Sequence, residues 1–272
     1  LEAVIFESGN SFVVGDVHGQ YLPLLRLLQN TGFLEGLRWA GGSRRLWFVG
    51  DLFDRGPDGL AVLNLLMRLE REARQTGGQV STILGNHEVM LLAAYHFGEL
   101  GRGPRSDFFH LWQNAGGRLD DMVDLRPDHI GWLSKLPAMA LVDDHLILHS
   151  DAVTYARHGS SLDEVNASIR SVLNGQDAAA WLALVADLNE RDGFLGEAGP
   201  PQAQRLLRLF GGQHIVHGHT PIALMTNARL NGAFVYANGL CINVDGGFSS
   251  QHPGFVHRLD AVRQSVTASE AV

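Results

Sequence analysis

Short apolar runs that end on a glycine or a histidine recur along this chain: "SFVVGD" (Ser11 to Asp16), "LWFVGD" (Leu46 to Asp51), "VSTILGN" (Val80 to Asn86), "HLILHSD" (His145 to Asp151) and "HIVHGHT" (His214 to Thr220). Each run predicts a buried strand that delivers a loop. Between the early runs, "YLPLLRLLQNTG" (Tyr21 to Gly32) and "GLAVLNLLMRLEREARQTGG" (Gly59 to Gly78) carry apolar residues at helical spacing and close on glycine, which predicts helices. Strand, loop, helix, strand is the order of a parallel α/β sheet, whose ligands sit at the carboxyl ends of the strands.

Farther along, Val89 to Trp132 is mostly helical in pattern, with a break at "GRGPRS" (Gly101 to Ser106). Two strand-like arms about Asp143-Asp144, within Ala138 to His149, predict a hairpin. Ser161 to Leu173 reads as a helix opened by a capping box from Ser161 to Glu164. "GAFVYANGLCINVDGG" and "GFVHRL" read as antiparallel strands, with a turn at Asn238-Gly239. No repeat, low-complexity tract or linker interrupts the pattern, so a single domain is expected over residues 1–262, with a frayed tail at 263–272.

At 272 residues and 29.7 kDa the chain can bury a substantial core, and its mean hydropathy is zero. No apolar run nears the roughly 18 to 20 residues of a membrane span, and no basic-then-apolar leader is visible, so a cytoplasmic protein without a membrane partner is expected. The first residue is not methionine, which leaves a processing or expression boundary open. A net charge of −8 argues against nucleic acid as a partner, so an anionic substrate must find positive charge locally. Arginine supplies nearly all of that charge, Lys135 being the single lysine. Cys241 is the lone cysteine, which excludes an internal disulfide and reads as a core thiol. Oligomeric state has no signal in the sequence.

Thirteen histidines are many for this length, and several fall where strands end. Asp16 and His18 in "GDVHGQ" are two apart, so on extended backbone both side chains leave one face and can grip one cation. Asp51 in "GDLFDRG" takes the same place after the next strand, where one carboxylate can bridge two metals. Asn86 and His87 follow the third strand, His149 the hairpin strand, and His217 and His219 end "HIVHGHT". Together they form an oxygen and nitrogen shell suited to Mn, Fe or Zn. Each element alone is ordinary, since a lone Gly-Asp is usually a turn and a lone histidine usually a satisfied side chain. Five of them at the ends of five strand-like runs are not independent accidents.

"GDVHG", "GDLFDRG", "GNHE", the histidine of "LILHSD" and "VHGHT", in this order from Gly15 to Thr220, resemble the calcineurin-like metallophosphoesterases, and within them the phosphoprotein phosphatase branch in a bacterial-type member. The resemblance implies an α/β fold, a four-layer αββα sandwich with two mixed sheets, carrying two metal ions, manganese first with iron or zinc as alternatives. It implies Asp16, His18 and Asp51 on one metal, with Asp51 bridging to a second held by Asn86, His149 and His219. His217 is left off the metals, because Pro221 stands where the wider superfamily often has another histidine. His87 becomes the acid for the leaving group, oriented by Asp54, while Arg55, Asn86 and a second arginine face the substrate phosphate. Arg191 in "NERDG" is preferred for that second arginine over Arg205, whose helix-like setting suggests a solvated face.

The implied activity is metal-dependent phosphomonoester hydrolysis by a metal-activated water attacking phosphorus directly, on phosphoserine or phosphothreonine of a protein or on a small phosphoester. Two alternatives stay open: a symmetrical diadenosine tetraphosphate hydrolase on the same scaffold, and a noncatalytic metal-binding module. The second would not require Asp54, Arg55 and His87. One departure from the eukaryotic phosphatases is "HSD" after the hairpin strand, where Ser150 and Asp151 change the pocket floor and could add an acid near the metals.

Overall fold

The computed structural model describes residues 10–98, 108–250 and 252–259. In chain order the elements are β1 (Ser11–Val14), α1 (Tyr21–Asn30), β2 (Leu34–Glu35), β3 (Arg38–Trp39), β4 (Arg45–Phe48), α2 (Gly59–Gln75), β5 (Gln79–Thr82), α3 (Asn86–Phe97), α4 (Phe108–Asn114), α5 (Leu119–Val123) and α6 (Pro127–Leu133). They continue with β6 (Met139–Val142), β7 (His145–Leu148), α7 (Leu162–Leu173), α8 (Ala178–Asn189), α9 (Gly199–Phe210), β8 (His214–His217), α10 (Ile222–Thr226), β9 (Phe234–Tyr236), β10 (Cys241–Asn243) and β11 (Val256–Arg258). All five apolar runs are strands, and the hairpin at Asp143-Asp144 forms as β6 and β7. The expected break at Gly101 to Ser106 and the tail at 263–272 lie outside the described residues.

Two larger sheets result, ordered β11-β1-β4-β5 and β6-β7-β8-β10-β9. In the first, β1, β4 and β5 run parallel, and in the second β7, β8 and β10 do. Alternation explains how the sheets stack. Val13 and Trp47 from one sheet, with Ile147, Val216 and Ile242 from the other, form a single buried cluster between them. The intervening residues, such as Val14, Phe48, Leu146, Leu148, Ile215 and Cys241, belong to a second cluster shared with the helices. The strands are therefore apolar on both faces, as their unbroken apolar runs require. On the outer faces α2 packs on β5, α7 on β6 and α9 on β8, which completes an αββα order of layers.

One detail differs from expectation. "GFVHRL" does not extend the C-terminal hairpin: β11 crosses to the first sheet and pairs antiparallel with β1, an assignment that strand periodicity cannot make. Asp58 occupies the N-cap position of α2 without a side-chain cap bond, and Asp121 reaches in from α5 to accept the Leu60 N–H at 3.0 Å instead.

A candidate binuclear metal centre between the sheets

The carboxyl ends of β1, β4, β5, β7 and β8 meet at one edge of the sandwich, and the loops leaving them converge. Among the described residues, His18, Asp51, Asp54, Arg55 and His219 all have positive φ, between 47° and 69°. Non-glycine residues rarely adopt that conformation, and its clustering in ligand-bearing turns marks backbone held for function. It also corrects the expectation of an extended Asp16–His18 pair. His18 is left-handed at φ 47°, and the backbone N–H groups of Val17 and His18 both donate to the Asp51 carbonyl, at 3.0 and 2.8 Å.

Every expected metal-binding residue is buried here. The donor atoms of Asp51, His149 and His219 lie within 4.8 Å of one another, and so do those of His18, Asp51 and His87, so Asp51 is common to both groups. Asp16 Oδ2 lies 3.9 Å from His18 Nε2, and the Asp16 carboxylate accepts the His219 N–H at 3.0 to 3.1 Å. Asn86 Oδ1 sits 2.7 Å from His149 Nε2 and 3.1 Å from His219 Nδ1, while its amide nitrogen donates to Asn189. Gly218 permits this crowding, because a Cβ there would lie 2.1 Å from Asp16 Oδ1.

The donor chemistry fits a pair of cations. His18 Nδ1–H donates to the Phe53 carbonyl at 2.9 Å, which leaves Nε2 as a buried lone pair facing Asp16 and Asp51 with no hydrogen-bond partner among the described residues. His149 repeats the arrangement, with Nδ1–H on the Val49 carbonyl at 2.7 Å and Nε2 turned toward Asp51 and Asn86. A histidine whose far nitrogen is fixed by a carbonyl is the usual form of a metal ligand. Charge points the same way. Burial, then repulsion from Asp245, holds the Asp16 carboxyl well above its usual range, and burial with Asp51 pushes Asp245 up to about 6. Burial alone would lower His149, but the Asp51 charge carries it up to about 10. Such an acid-rich pocket is short of positive charge, which cations would supply.

Beside this cluster stands a second arrangement. His87 Nδ1–H donates to Asp54 Oδ2 at 2.6 Å, and His87 Nε2 lies 3.2 Å from the Arg55 guanidinium. Asp54 is fully buried, and burial, only partly offset by the His87 bond, raises its carboxyl pKa. Arg55 is exposed, and its guanidinium reaches back to His87. Arg191 is also exposed, with Nη2 3.3 Å from His219 Nε2, whereas Arg205 lies on the outer face of α9. His217 turns away from the cluster, bonded through Nε2 to the Tyr236 hydroxyl at 2.9 Å.

Asp151 does not join the metal groups. Its oxygens accept the Thr220 hydroxyl at 2.8 Å and the Asp192 N–H at 2.9 Å, so it braces the loop that carries Arg191. Glu88 ties the loops after β4 and β5 by accepting three backbone N–H groups, from Asp51, Leu52 and Gly85. Sequence reasoning missed Asp245, which faces Asp16; Asn189, which accepts from the Asn86 amide; Tyr155, whose hydroxyl accepts the His149 N–H at 3.2 Å; and Trp112, whose indole N–H donates to Asp54 at 2.8 Å. Asp245 alone carried a signal, as the acid after a strand in "INVDGG", matching the "GD" endings upstream.

Residues 11–223 match the calcineurin-like phosphoesterase family. The chain is 24% identical to Shewanella-like protein phosphatase 1 of Plasmodium berghei over 94% of this chain and 74% of that protein. It is 35% identical over 143 residues to the symmetrical bis(5'-nucleosyl)-tetraphosphatase of Bordetella pertussis, covering 52% of this chain and 43% of that protein. Among solved structures, the cold-active protein-tyrosine phosphatase of a psychrophile Shewanella species superimposes with a TM-score of 0.68 at 25% identity, over 90% of this chain and 73% of that one. Among the described residues, no helix is long and apolar enough to cross a membrane.

Proposed function

Because the chain belongs to the calcineurin-like phosphoesterases and is a metal-dependent phosphatase, we propose that it hydrolyses phosphomonoesters on protein side chains, phosphoserine or phosphothreonine first. On this reading Asp16, His18 and Asp51 hold one cation, and Asp51, Asn86, His149 and His219 hold the other. When bound, the pair supplies a water of lowered pKa and neutralises phosphoryl oxygens. Manganese is the first choice, with iron and zinc accepted by the same mixed donors.

The protein's own part follows from charge and reach. Arg55 and Arg191 clamp phosphate oxygens from two sides, with Asn86 contributing its amide. As the water oxygen bonds to phosphorus and the ester P–O bond breaks, the departing oxygen keeps the electron pair and takes a proton from His87 Nε2. Asp54 accepts from the opposite ring nitrogen and fixes the orientation of the imidazole. The observation that carries this reading is the 2.6 Å His87–Asp54 bond beside the exposed Arg55, an arrangement that metal storage alone does not need. The proposal also places the protein in the cytoplasm, in keeping with a single unpaired and buried thiol, and excludes nucleic acid as a partner, in keeping with the net charge of −8.

The test is a metal-resolved activity screen on phosphoserine, phosphothreonine and phosphotyrosine peptides. Manganese-loaded protein should turn over, and His87→Asn should lose about 100-fold or more in kcat while keeping its metal. No turnover with Mn, Fe or Zn would overturn the reading in favour of a binding module. The similarity to a symmetrical tetraphosphatase supports a second reading, hydrolysis of a dinucleoside tetraphosphate. A higher kcat/KM for diadenosine tetraphosphate than for every phosphopeptide would establish that order instead.

A further inference from the structure

We propose that Trp112 is a positioning residue for leaving-group protonation, its indole N–H holding Asp54 in the orientation from which Asp54 holds His87. The inference rests on the reading of His87 as the proton donor.

Trp112 lies on α4, which packs against α3, the helix that carries His87. It is fully buried, and Nε1–H donates to Asp54 Oδ1 at 2.8 Å while Oδ2 takes the His87 bond at 2.6 Å. Each carboxylate oxygen thus has its own partner, and the two bonds fix the plane of the group. An indole N–H suits this task. It only donates, so it cannot reverse its role, and its ring has few rotamers.

The turn after α4 reinforces the arrangement from outside. Gly117 N–H donates to the Trp112 carbonyl, and a Cβ on Gly117 would lie 2.3 Å from the indole carbons. Gly116, at φ 103°, offers its carbonyl to the Arg55 N–H at 2.9 Å. One short turn therefore seats the indole against Asp54 and also grips Arg55. Packing alone would not require the nitrogen edge of the ring to face the one carboxylate that supports His87.

A purely structural tryptophan and a positioning one differ in leaving-group dependence. Protonation matters most when the departing alcohol is a poor leaving group. Trp112→Phe should lower kcat about 10-fold on a phosphoserine peptide or an alkyl phosphate, part of the roughly 100-fold or more expected from general acid catalysis, and less than about twofold on an activated aryl phosphate. KM and metal content should hold. In an Asp54→Asn background Trp112→Phe should add little, since the two residues act as one unit. Replacing Trp112 by 3-benzothienylalanine, which keeps the ring shape and exchanges N–H for sulfur, gives the same contrast without a cavity if Trp112→Phe fails to fold. Equal loss on alkyl and aryl substrates, no loss at all, or full additivity with Asp54→Asn would overturn the proposal. His87→Asn is run beside it: if that variant keeps its activity on alkyl phosphates, the proton-donor reading fails, whereas if it loses that activity and Trp112→Phe does not, only the role of Trp112 fails.

Discussion

Glu88 offers the sharpest test of how the centre is built. It is fully buried, and its Oε2 accepts the N–H groups of Asp51 and Gly85, at 2.8 and 3.0 Å, while Oε1 accepts that of Leu52 at 2.8 Å. Glu88→Gln preserves size but supplies one acceptor oxygen. With that oxygen at the Oε2 position two bonds survive, and the new NH2 group confronts the Leu52 N–H. Losing one bond to a charged acceptor costs about 1.5–3 kcal/mol, and a buried donor left unpaired about 1–3 kcal/mol more. An opposing term exists, because burial and then the Asp51 charge push the Glu88 pKa up to about 7, so removing the carboxylate relieves a desolvation cost. Allowing about 1–2 kcal/mol for that relief, the net destabilisation centres on about 2–3 kcal/mol. At about 2–4 °C per kcal/mol for a domain of this size, Tm should fall by about 5–10 °C.

The assay is urea unfolding with chelator present, so that mass action by bound metal does not hide the change. An unaltered m-value with a lowered midpoint is expected, and Glu88→Ala, which loses all three bonds, should fall further. Glu88→Gln within about 0.5 kcal/mol of the parent, or Glu88→Ala no worse than Glu88→Gln, would refute the assignment of Glu88 as the tie between the two loops.

Two further variants probe the surroundings. Asp151→Ala removes the carboxylate brace on Asp192 in the Arg191 loop, along with the tie to Thr220, so KM for a phosphopeptide should rise roughly fivefold, the equivalent of about 1 kcal/mol, with kcat changed far less, as steady-state kinetics will show. Asp121, with one buried oxygen that has no hydrogen-bond partner among the described residues, has its pKa raised mainly by burial to about 6. A carboxyl raised in the folded state contributes stability below its unfolded value of 3.8 and loses it as pH climbs through about 6. Asp121→Asn should therefore gain about 1 kcal/mol at pH 7.5, discounted for the nearby surface, and nothing at pH 3.5, measured as Tm at the two values.

Much of the centre was legible because strand, turn and ligand are adjacent in the chain. Asp16, Asp51, Asn86, His149 and His219 each follow an apolar run within a few residues, so local pattern finds them. The partners that orient them are not local. Val49 lies 100 residues from His149, whose ring it fixes, and Trp112 lies 58 residues from Asp54. In "FFHLWQNAGG" the tryptophan is indistinguishable from a core aromatic until the fold places Asp54 against it. The start of α3 shows a smaller version of the same limit. Helical periodicity suggested Val89, but Glu88 reaches back to the Gly85 N–H and draws Asn86 and His87 into the first turn.

The two sheets contribute unequally and depend on each other. Asp16, His18, Asp51 and Asn86 follow strands of one sheet, while His149 and His219 follow strands of the other. The bonds that aim these side chains cross the same boundary: His149 Nδ1–H to the Val49 carbonyl, and the His219 N–H to Asp16. The inner apolar layer of Val13, Trp47, Ile147, Val216 and Ile242 therefore sets the distance between ligand halves as well as stabilising the sandwich. Close-packed interiors transmit displacement rather than absorb it. On the proposed ligand set the second cation draws on both sheets, so its affinity should be coupled to that layer's packing, and His87, Asp54 and Trp112, which all lie on the first-sheet side, should be less exposed to it.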